Sequence, residues 1–276
     1  MIRHLAVRIG PRETTSAAYQ DATRLVRRAL AGAGGYEIHR QPFSVPAGVS
    51  DRTSVPAGRT SNLVAVPTAS PYPPAWVVGA HLDTVPLAPG AEDNASGVAM
   101  LLELARMSAG RHPVLLIVFG GAEARGAADD EHHYGSRTFV RHPVGLPEQV
   151  GRRMVGRSAA LGRLRGMVSL DRVGAGDSVR IRTGGTGPRS VTEQLRATAA
   201  RLQIPVAADG HDQGSDHWPF EKAGVPAARV GGHPYRSRQD ERDPPEVVRN
   251  VQLRRTGLLL WHWIVDVSQP TSPDRP

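Results

Sequence analysis

Residues 114–119 read Val-Leu-Leu-Ile-Val-Phe, an apolar run without a single polar interruption. A strand that is apolar at every position has no face left for solvent, so the run is typical of a central strand covered on both sides. Shorter apolar segments at 62–66, 76–80, 167–170 and 227–230 predict further strands. We therefore expect an α/β fold, a three-layer sandwich whose central, mixed but mostly parallel sheet is flanked by helices.

Helical patterns separate these strands, and the chain shows no internal break. Helices are predicted at 16–31, 98–107, 191–202 and 251–267. Residues 36–43 predict one more strand, and the Pro-, Gly- and Ser-rich stretch 44–59 predicts a loop. The length of 276 residues and the even composition favour a single domain over 1–267. The polar, Pro-rich residues 268–276 are expected to form a disordered tail.

The composition narrows the classes of partner. The chain has no cysteine, so any metal ion must be held by His, Asp or Glu side chains or by water. The formal net charge is +8, but Lys222 is the only lysine and the arginines are scattered without interleaved aromatics. We therefore expect no nucleic-acid partner.

The sequence shows neither an apolar leader nor a run of ~20 apolar residues, which predicts a cytoplasmic protein without a membrane segment. The oligomeric state is not indicated.

Four acidic or histidine residues stand at the ends of predicted strands or just before a helix. His81, Glu123 and Asp171 each end or follow an apolar strand, and Asp93 precedes a helical segment. In open α/β sheets, ligands gather outside the carboxyl ends of the strands, so these side chains are expected to converge. A neutral imidazole together with carboxylates suits zinc. The pattern indicates a metal-dependent hydrolase.

Five groups of short motifs follow one another along the chain. They are Gly-Pro-Arg at 10–12 with Asn-Leu-Val-Ala at 62–65, Val-Val-Gly-Ala-His-Leu-Asp at 77–83, Asp-Asn-Ala-Ser-Gly at 93–97, Val-Ser-Leu-Asp-Arg-Val-Gly at 168–174, and Ser-Asp-His-Trp-Pro-Phe at 215–220 with Gly-Val-Pro at 224–226. Through these motifs nearly the whole chain resembles the co-catalytic zinc aminopeptidase family, which also contains the glutaminyl cyclases.

The resemblance implies a zinc site and assigns its residues. One zinc ion would be held by His81, Asp171 and Asp93, where Asp93 is the carboxylate that bridges two metals in the family. Asp83 would lie behind His81 and orient its imidazole, a common role for a carboxylate next to a metal ligand.

The chain departs from the family after the central strand. The family has two adjacent glutamates there, the first a general base and the second a ligand of the other metal, whereas residues 121–126 read Gly-Ala-Glu-Ala-Arg-Gly. In one alignment Glu123 is the base and Ala124 replaces the lost ligand, which is the reading we prefer. In the other, Ala122 replaces the lost base and Glu123 is the ligand.

A second departure concerns the last metal ligand. Arg236 stands where the family has a histidine, and an arginine does not lose its proton to coordinate zinc. The resemblance therefore predicts one zinc ion rather than two, with a degenerate second site. Arg236, with Tyr235 and His233, is expected to bind the substrate, for example through a carboxylate. His233 or the pair His132-His133 remain alternative replacement ligands.

The expected function is zinc-dependent hydrolysis of a peptide or a small amide, in the manner of an aminopeptidase. Glu123 would act as the base and Asp83 would support His81. Two alternatives stay open. The longer segment 127–134 resembles the glutaminyl cyclase branch, which favours cyclisation or acyl transfer on the same scaffold. The broken glutamate pair and Arg236 would also fit an inactive relative that serves as a binding protein.

Overall fold

A computed structural model describes residues 1–146, 161–208, 210–234 and 243–269. The strands are β1 (Tyr36–Val45), β2 (Gly48–Ser50), β3 (Thr53–Val55), β4 (Gly58–Pro67), β5 (Trp76–His81), β6 (Val114–Phe119), β7 (Gly166–Leu170), β8 (Ser178–Arg182) and β9 (Ala227–His233). The helices are α1 (Ala17–Ala33), α2 (Gly97–Ser108), α3 (Tyr134–Arg141), α4 (Ser190–Arg201), α5 (His217–Lys222) and α6 (Asn250–Val267). Short helical turns cover His4–Ile9, Ala91–Ser96, Leu161–Arg163 and Pro245–Val247.

Seven strands form one mixed sheet in the order β1-β4-β6-β5-β7-β9-β8. The pairing is parallel in the middle of the sheet, where β5 lies between β6 and β7, and β7 also pairs with β9. The edges are antiparallel, since β4 pairs antiparallel with both β1 and β6, and β8 pairs antiparallel with β9. The predicted mixed, mostly parallel sheet is confirmed.

Helices cover the sheet on both faces and complete the three layers. Residues of α1, α2, α4 and α6 pack in one apolar cluster with alternate strand residues such as Val78 and Leu116. Phe139 of α3 and Phe220 of α5 pack in a second cluster, with Val77 and Ile117. Neighbouring residues of one strand thus enter opposite clusters, which explains why every residue of β6 is apolar and buried.

The prediction of a loop over 44–59 was wrong. Strands β2 and β3 form a hairpin there, and both β1 and β4 extend into the segment. The hairpin turns at Asp51 and Arg52, which both have positive φ angles of 42° and 64°. Such turns usually carry Asn or Gly, so the Asp-Arg pair gave little signal, while the surrounding prolines and glycines suggested irregular structure.

Three further elements were not predicted: β8, α3 and α5. Each is short, and all three carry charged residues inside the element. Helix α6 ends at Val267, as expected. The last seven residues of the predicted tail, 270–276, lie outside the described residues. Within the described part of the chain, none of the helices is long and apolar enough to cross a membrane.

The topology brings several strand ends to one edge of the sheet. Strands β5 and β7 are parallel neighbours, so their carboxyl ends lie side by side. Strand β5 ends at His81 and β7 ends one residue before Asp171. The segment that leads into α2 passes the same edge, which places the side chains predicted to bind metal within reach of one another.

Candidate metal centre

His81, Asp93 and Asp171 meet at this edge of the sheet. One potential ligand atom from each lies within 4.8 Å of the other two, and all three side chains are buried. His81 Nε2 is 3.2 Å from Asp93 Oδ1. Two ligands of a tetrahedral zinc ion, each about 2.0–2.1 Å from it, are roughly 3.3 Å apart. The His81–Asp93 spacing therefore suits ligands that share one zinc ion.

The turn that carries Asp93 is fixed by two buried carboxylates. Asp243 accepts hydrogen bonds from the main-chain amides of Glu92, at 3.0 Å, and Asp93, at 2.9 Å. Glu92 in turn accepts from the amides of Gly174 and Ala175, at 2.8 and 2.7 Å. These contacts tie the Ala91–Ser96 turn to the loop after Asp171, so the carboxylates of Asp93 and Asp171 are held in fixed relative positions.

Arg12 fixes the loop between His81 and Asp93. Its guanidinium is fully buried and donates to the carbonyl oxygens of Leu82, Pro89 and Gly90, at 2.7 to 2.8 Å. Burial lowers the pKa of Arg12 to about 10, which nearby carboxylates such as Asp83 partly oppose. Arg12 therefore remains charged at neutral pH, and it satisfies backbone oxygens that a tight buried loop would otherwise leave without partners.

The two carboxylates of the group stay ionised despite their burial. Burial alone would raise the pKa of Asp93, but Arg172 and His81 hold it below its ordinary value. Burial likewise opposes ionisation of Asp171, and Arg229 and Arg172 outweigh it and lower the pKa. Burial would lower the pKa of His81, yet the hydrogen bond and charge of Asp93 raise it well above the usual value.

The chemistry of these donors fits a zinc ion. Asp93 Oδ2 is buried and has no hydrogen-bond partner among the described residues. A buried carboxylate oxygen without a partner is costly, and a cation bound by that carboxylate would remove the cost. One imidazole and two carboxylates leave a fourth position open, the arrangement of catalytic rather than structural zinc sites.

Asp83 lies behind His81, but its carboxylate forms hydrogen bonds with another segment of the chain. The nearest contact of His81 Nδ1 is the main-chain oxygen of Asp83, at 3.1 Å, and the carboxylate Oδ1 is 3.8 Å away. The carboxylate instead accepts the amides of Ala122, at 3.1 Å, and Glu123, at 3.0 Å. Residue 83 thus contacts His81 through its backbone and positions Glu123 through its side chain.

Glu123 lies beside the three potential ligands without joining them. In the part of the chain that the structure describes, the close group consists of His81, Asp93 and Asp171. Burial, followed by the charge of Asp93, raises the pKa of Glu123 well above its ordinary value. A carboxylate with a raised pKa near a reacting group is suited to proton transfer. Ala124, the next residue, is exposed.

The other residues predicted to lie at the site are only partly described. Tyr235 and Arg236 lie outside the described residues. His233 ends β9, and its Nδ1 contacts a guanidinium nitrogen of Arg180. His132 and His133 contact each other through their Nδ1 atoms at 2.6 Å, and His133 is buried. These three histidines are not part of the close group of ligand atoms found among the described residues.

A buried polar group near the centre was missed by the sequence analysis. Asp216 precedes α5, is fully buried, and accepts a hydrogen bond of 2.6 Å from Ser136 Oγ. Burial raises the pKa of Asp216 to about 7, which the proximity of His81 partly offsets. The neighbouring His217 is also buried, and burial lowers its pKa to about 4. Their place in the Ser-Asp-His-Trp-Pro-Phe motif was the available signal.

The arginines that surround Asp171 were also missed. Arg229 donates to Asp171 Oδ1 at 3.0 Å and to Asp212 Oδ2 at 2.6 Å, while Arg172 Nε lies 3.2 Å from Asp171 Oδ1. Arg180 and Arg182 lie close by on β8. The alternation of arginine with valine and isoleucine at 179–182 is the strand pattern that could have located this group.

Comparison with known proteins agrees with the fold. Residues 62–263 match the profile of Peptidase family M28. Aminopeptidase YwaD of Bacillus subtilis is 28% identical over 187 residues, which cover 63% of this chain and 36% of that protein. The chain therefore spans about a third of the length of this curated relative.

Solved structures show the same fold at low sequence identity. A zinc aminopeptidase from Bacillus subtilis superposes with a TM-score of 0.77 and 17% identity, covering 100% of this chain and 95% of that one. A glutaminyl cyclase from Porphyromonas gingivalis gives a TM-score of 0.77 and 20% identity, covering 96% of each chain. Both chemistries thus occur on folds similar to this one.

Proposed function

Because the chain belongs to Peptidase family M28, we propose that it is a zinc-dependent amide hydrolase of the aminopeptidase type that uses one zinc ion. Its substrate is a peptide or a small amide. The observation that carries the proposal is the convergence of His81, Asp93 and Asp171, with a buried Asp93 oxygen that lacks a hydrogen-bond partner among the described residues.

The metal-binding residues are His81, Asp93 and Asp171. Zinc held there supplies a Lewis acid for the scissile carbonyl and favours deprotonation of water at neutral pH. Arg229 and Arg172 hold Asp171 in its ionised form, and the amides bonded to Asp243 fix the backbone of Asp93. A preformed, ionised ligand set lowers the cost of arranging the site around the ion.

Glu123 is the proposed general base. Asp83 anchors its backbone amide at the edge of the metal-binding group, so the Glu123 side chain starts from a fixed point. Glu123 accepts the proton of the attacking water and passes it to the leaving amine. Its raised pKa supports this role, because a carboxylate with an ordinary pKa would be a weaker base at neutral pH.

A single zinc ion is supported by the charges around Asp93. Arg172 Nη1 lies 3.8 Å from Asp93 Oδ2, beyond hydrogen-bond distance, so a positive charge already stands close to the carboxylate whose counterpart bridges two metals in the family. In the sequence, Ala124 and Arg236 stand at the positions that would supply the second metal's other ligands. Arg236, with Tyr235 and His233, remains a proposed contact for the substrate.

Hydrolysis of aminoacyl p-nitroanilides tests the proposal. The chain is first depleted with a chelator and then given zinc in steps, and release of nitroaniline is followed. Activity that is lost with the metal and restored by zinc is expected. Glu103→Gln, which changes an exposed glutamate on α2, should behave like the unaltered chain. No hydrolysis of any p-nitroanilide by the zinc-loaded chain would contradict the proposal.

Cyclisation is the second candidate, supported by the equal structural similarity to a glutaminyl cyclase. A peptide with an N-terminal glutamine separates the two reactions. Hydrolysis yields free glutamine and a shortened peptide, whereas cyclisation yields ammonia and a full-length pyroglutamyl peptide. Mass spectrometry of the products identifies which bond is broken.

A further inference from the structure

A cavity of about 230 Å³ opens next to Asp171. Four arginines, Arg172, Arg180, Arg182 and Arg229, line it together with the carboxylates of Asp171 and Asp212. Asp171 lines the cavity and is also one of the candidate zinc ligands, so the two sites are adjacent. A group bound in the cavity would therefore lie beside the bond that the zinc site acts on.

The sheet arranges three of these arginines on one face. In β8, Val179 and Ile181 are buried in the core, so Arg180 and Arg182 project from the opposite face. Arg182 pairs directly with Arg229 of β9, and Arg180 pairs with Gly231. Gly231 has no side chain, and the main-chain oxygen of Asp171 lies close to where a Cβ at this position would stand. The guanidinium of Arg180 contacts Nδ1 of His233, the last residue of β9, and lines the cavity beside it.

This arrangement is unfavourable for folding alone. Like charges directly opposite on neighbouring antiparallel strands are destabilising, as Arg182 and Arg229 are. Burial lowers the pKa of Arg180, and the charges of Arg182 and Arg229 lower it further. The cavity carries four positive charges against the two negative charges of Asp171 and Asp212. It therefore has an excess of positive charge.

Arg180 and Arg182 use only part of their donors among the described residues. Asp212 accepts from Arg229 at 2.6 Å but lies 4.0 Å from Arg182. Within the same part of the chain, the Nε atoms of Arg180 and Arg182 are buried without a hydrogen-bond partner. Guanidinium groups in this state suit a planar anion that accepts several hydrogen bonds, above all a carboxylate.

We propose that this arginine cavity, lined by Arg172, Arg180, Arg182 and Arg229, binds a carboxylate of the substrate and makes the chain selective for acidic substrates. The proposal rests on the amide hydrolase function given above. The carboxylate has two chemical sources: the side chain of a glutamyl or aspartyl residue, or the free C-terminus of a dipeptide.

Paired substrates distinguish the two sources. The first pair is glutamyl and glutaminyl p-nitroanilide, which differ only in side-chain charge. The second pair is alanyl-alanine and its C-terminal amide. A ratio of kcat/KM of at least tenfold in favour of the acid is expected in one pair, and that pair identifies the source. Equal rates within both pairs would overturn the proposal.

Substitutions assign the preference to the cavity. In the double variant Arg180→Gln with Arg182→Gln, the acid-to-neutral ratio should fall at least tenfold, equivalent to about 1.4 kcal/mol, while hydrolysis of the neutral substrate persists. Arg27→Gln, on the exposed face of α1, removes one positive charge elsewhere and should leave the ratio unchanged. An unchanged ratio in the double variant would overturn the proposal.

Stability and binding measurements separate this account from its alternatives. If Arg180 and Arg182 served only to stabilise the fold, the double variant should have a lower Tm than the unaltered chain. Because their removal relieves charge repulsion, we expect an equal or higher Tm. Calorimetric titration of the zinc-loaded full chain with glutarate tests the cavity without catalysis. Binding that weakens at least tenfold in the double variant supports the cavity even if no amide is hydrolysed, and absence of glutarate binding would contradict it.

Discussion

The carboxylate of Asp83 holds the backbone amide of Glu123 at 3.0 Å and that of the preceding residue at 3.1 Å. These bonds connect the end of β5, which carries His81, with the loop after β6, which carries the proposed base. The position of Glu123 relative to the proposed zinc ligands therefore depends on Asp83. The imidazole of His81 itself is closer to the main-chain oxygen of Asp83 than to this carboxylate.

Asp83→Asn should lower kcat while zinc content is retained. An asparagine can accept only one of the two amide hydrogens, so one buried donor loses its partner, at a cost of about 1–3 kcal/mol. We expect a matching loss in the free energy of unfolding, measured by urea titration, and a lower kcat for p-nitroanilides. Asp177→Asn, on the surface, is the control. A variant with unchanged kcat and stability would show that this contact does not position the base.

Glu123→Gln should abolish hydrolysis and leave the zinc content intact. An amide fills the same space as the carboxylate but cannot accept the proton of water, and loss of general base catalysis typically costs 10²–10⁴-fold in rate. Single-turnover kinetics and metal analysis on the same sample measure both properties. If the variant instead loses metal, Glu123 is a ligand and the alternative alignment, with Ala122 at the position of the base, is correct.

Titration of Asp216 should lower the free energy of unfolding as the pH rises from about 4 to 7. Burial raises its pKa from 3.8 to about 7, so in this window the folded chain binds a proton that the unfolded chain has released. Stability contributed by the protonated form is therefore present below pH 4 and lost as pH rises through 7. The loss amounts to about 4 kcal/mol at most.

The comparison of the unaltered chain with Asp216→Asn isolates this effect. His217 has a lowered pKa of about 4 and contributes the opposite slope, but both proteins carry it. Urea titrations at several pH values should show the variant gaining stability relative to the unaltered chain as the pH increases. A difference in unfolding free energy that does not change between pH 4 and 8 would contradict this assignment.

Arg229→Gln should destabilise the fold far more than Arg182→Gln. Arg229 is buried and bonds both Asp171 and Asp212, so its removal leaves two carboxylates without their main counter-charge. Removing one partner of a buried ion pair typically costs 3–5 kcal/mol. Arg182 lies 4.0 Å from Asp212 and opposite Arg229, so its loss relieves repulsion. Equal unfolding free energies for the two variants would contradict this division of roles.

The sequence contained enough information to bring His81, Asp93 and Asp171 together. Apolar strands ending in a polar residue predict a parallel sheet with a common ligand edge, and β5 and β7 are indeed parallel neighbours. The motifs around these residues identified the family, which the match over 62–263 confirms. Local patterns sufficed because each of these residues lies at or near the end of a regular element.

Contacts between distant segments could not be read from local patterns. Asp243 accepts the amide of Asp93 across 150 positions of sequence, and Arg12 donates to Gly90 across 78. Asp83 was expected to orient His81, and its carboxylate, 3.8 Å from His81 Nδ1, also accepts two amides near residue 123, which the sequence did not indicate. Buried polar groups find partners by tertiary packing, and the sequence shows only that such groups exist.

Zinc content tests the central claim most directly. The chain is purified and dialysed without added metal, and its zinc content is measured by elemental analysis together with protein concentration. The account predicts a ratio close to one zinc ion per chain, which falls to background in Asp171→Asn. A ratio near two would contradict the single-metal site, and a ratio near zero in the unaltered chain would contradict a zinc enzyme altogether.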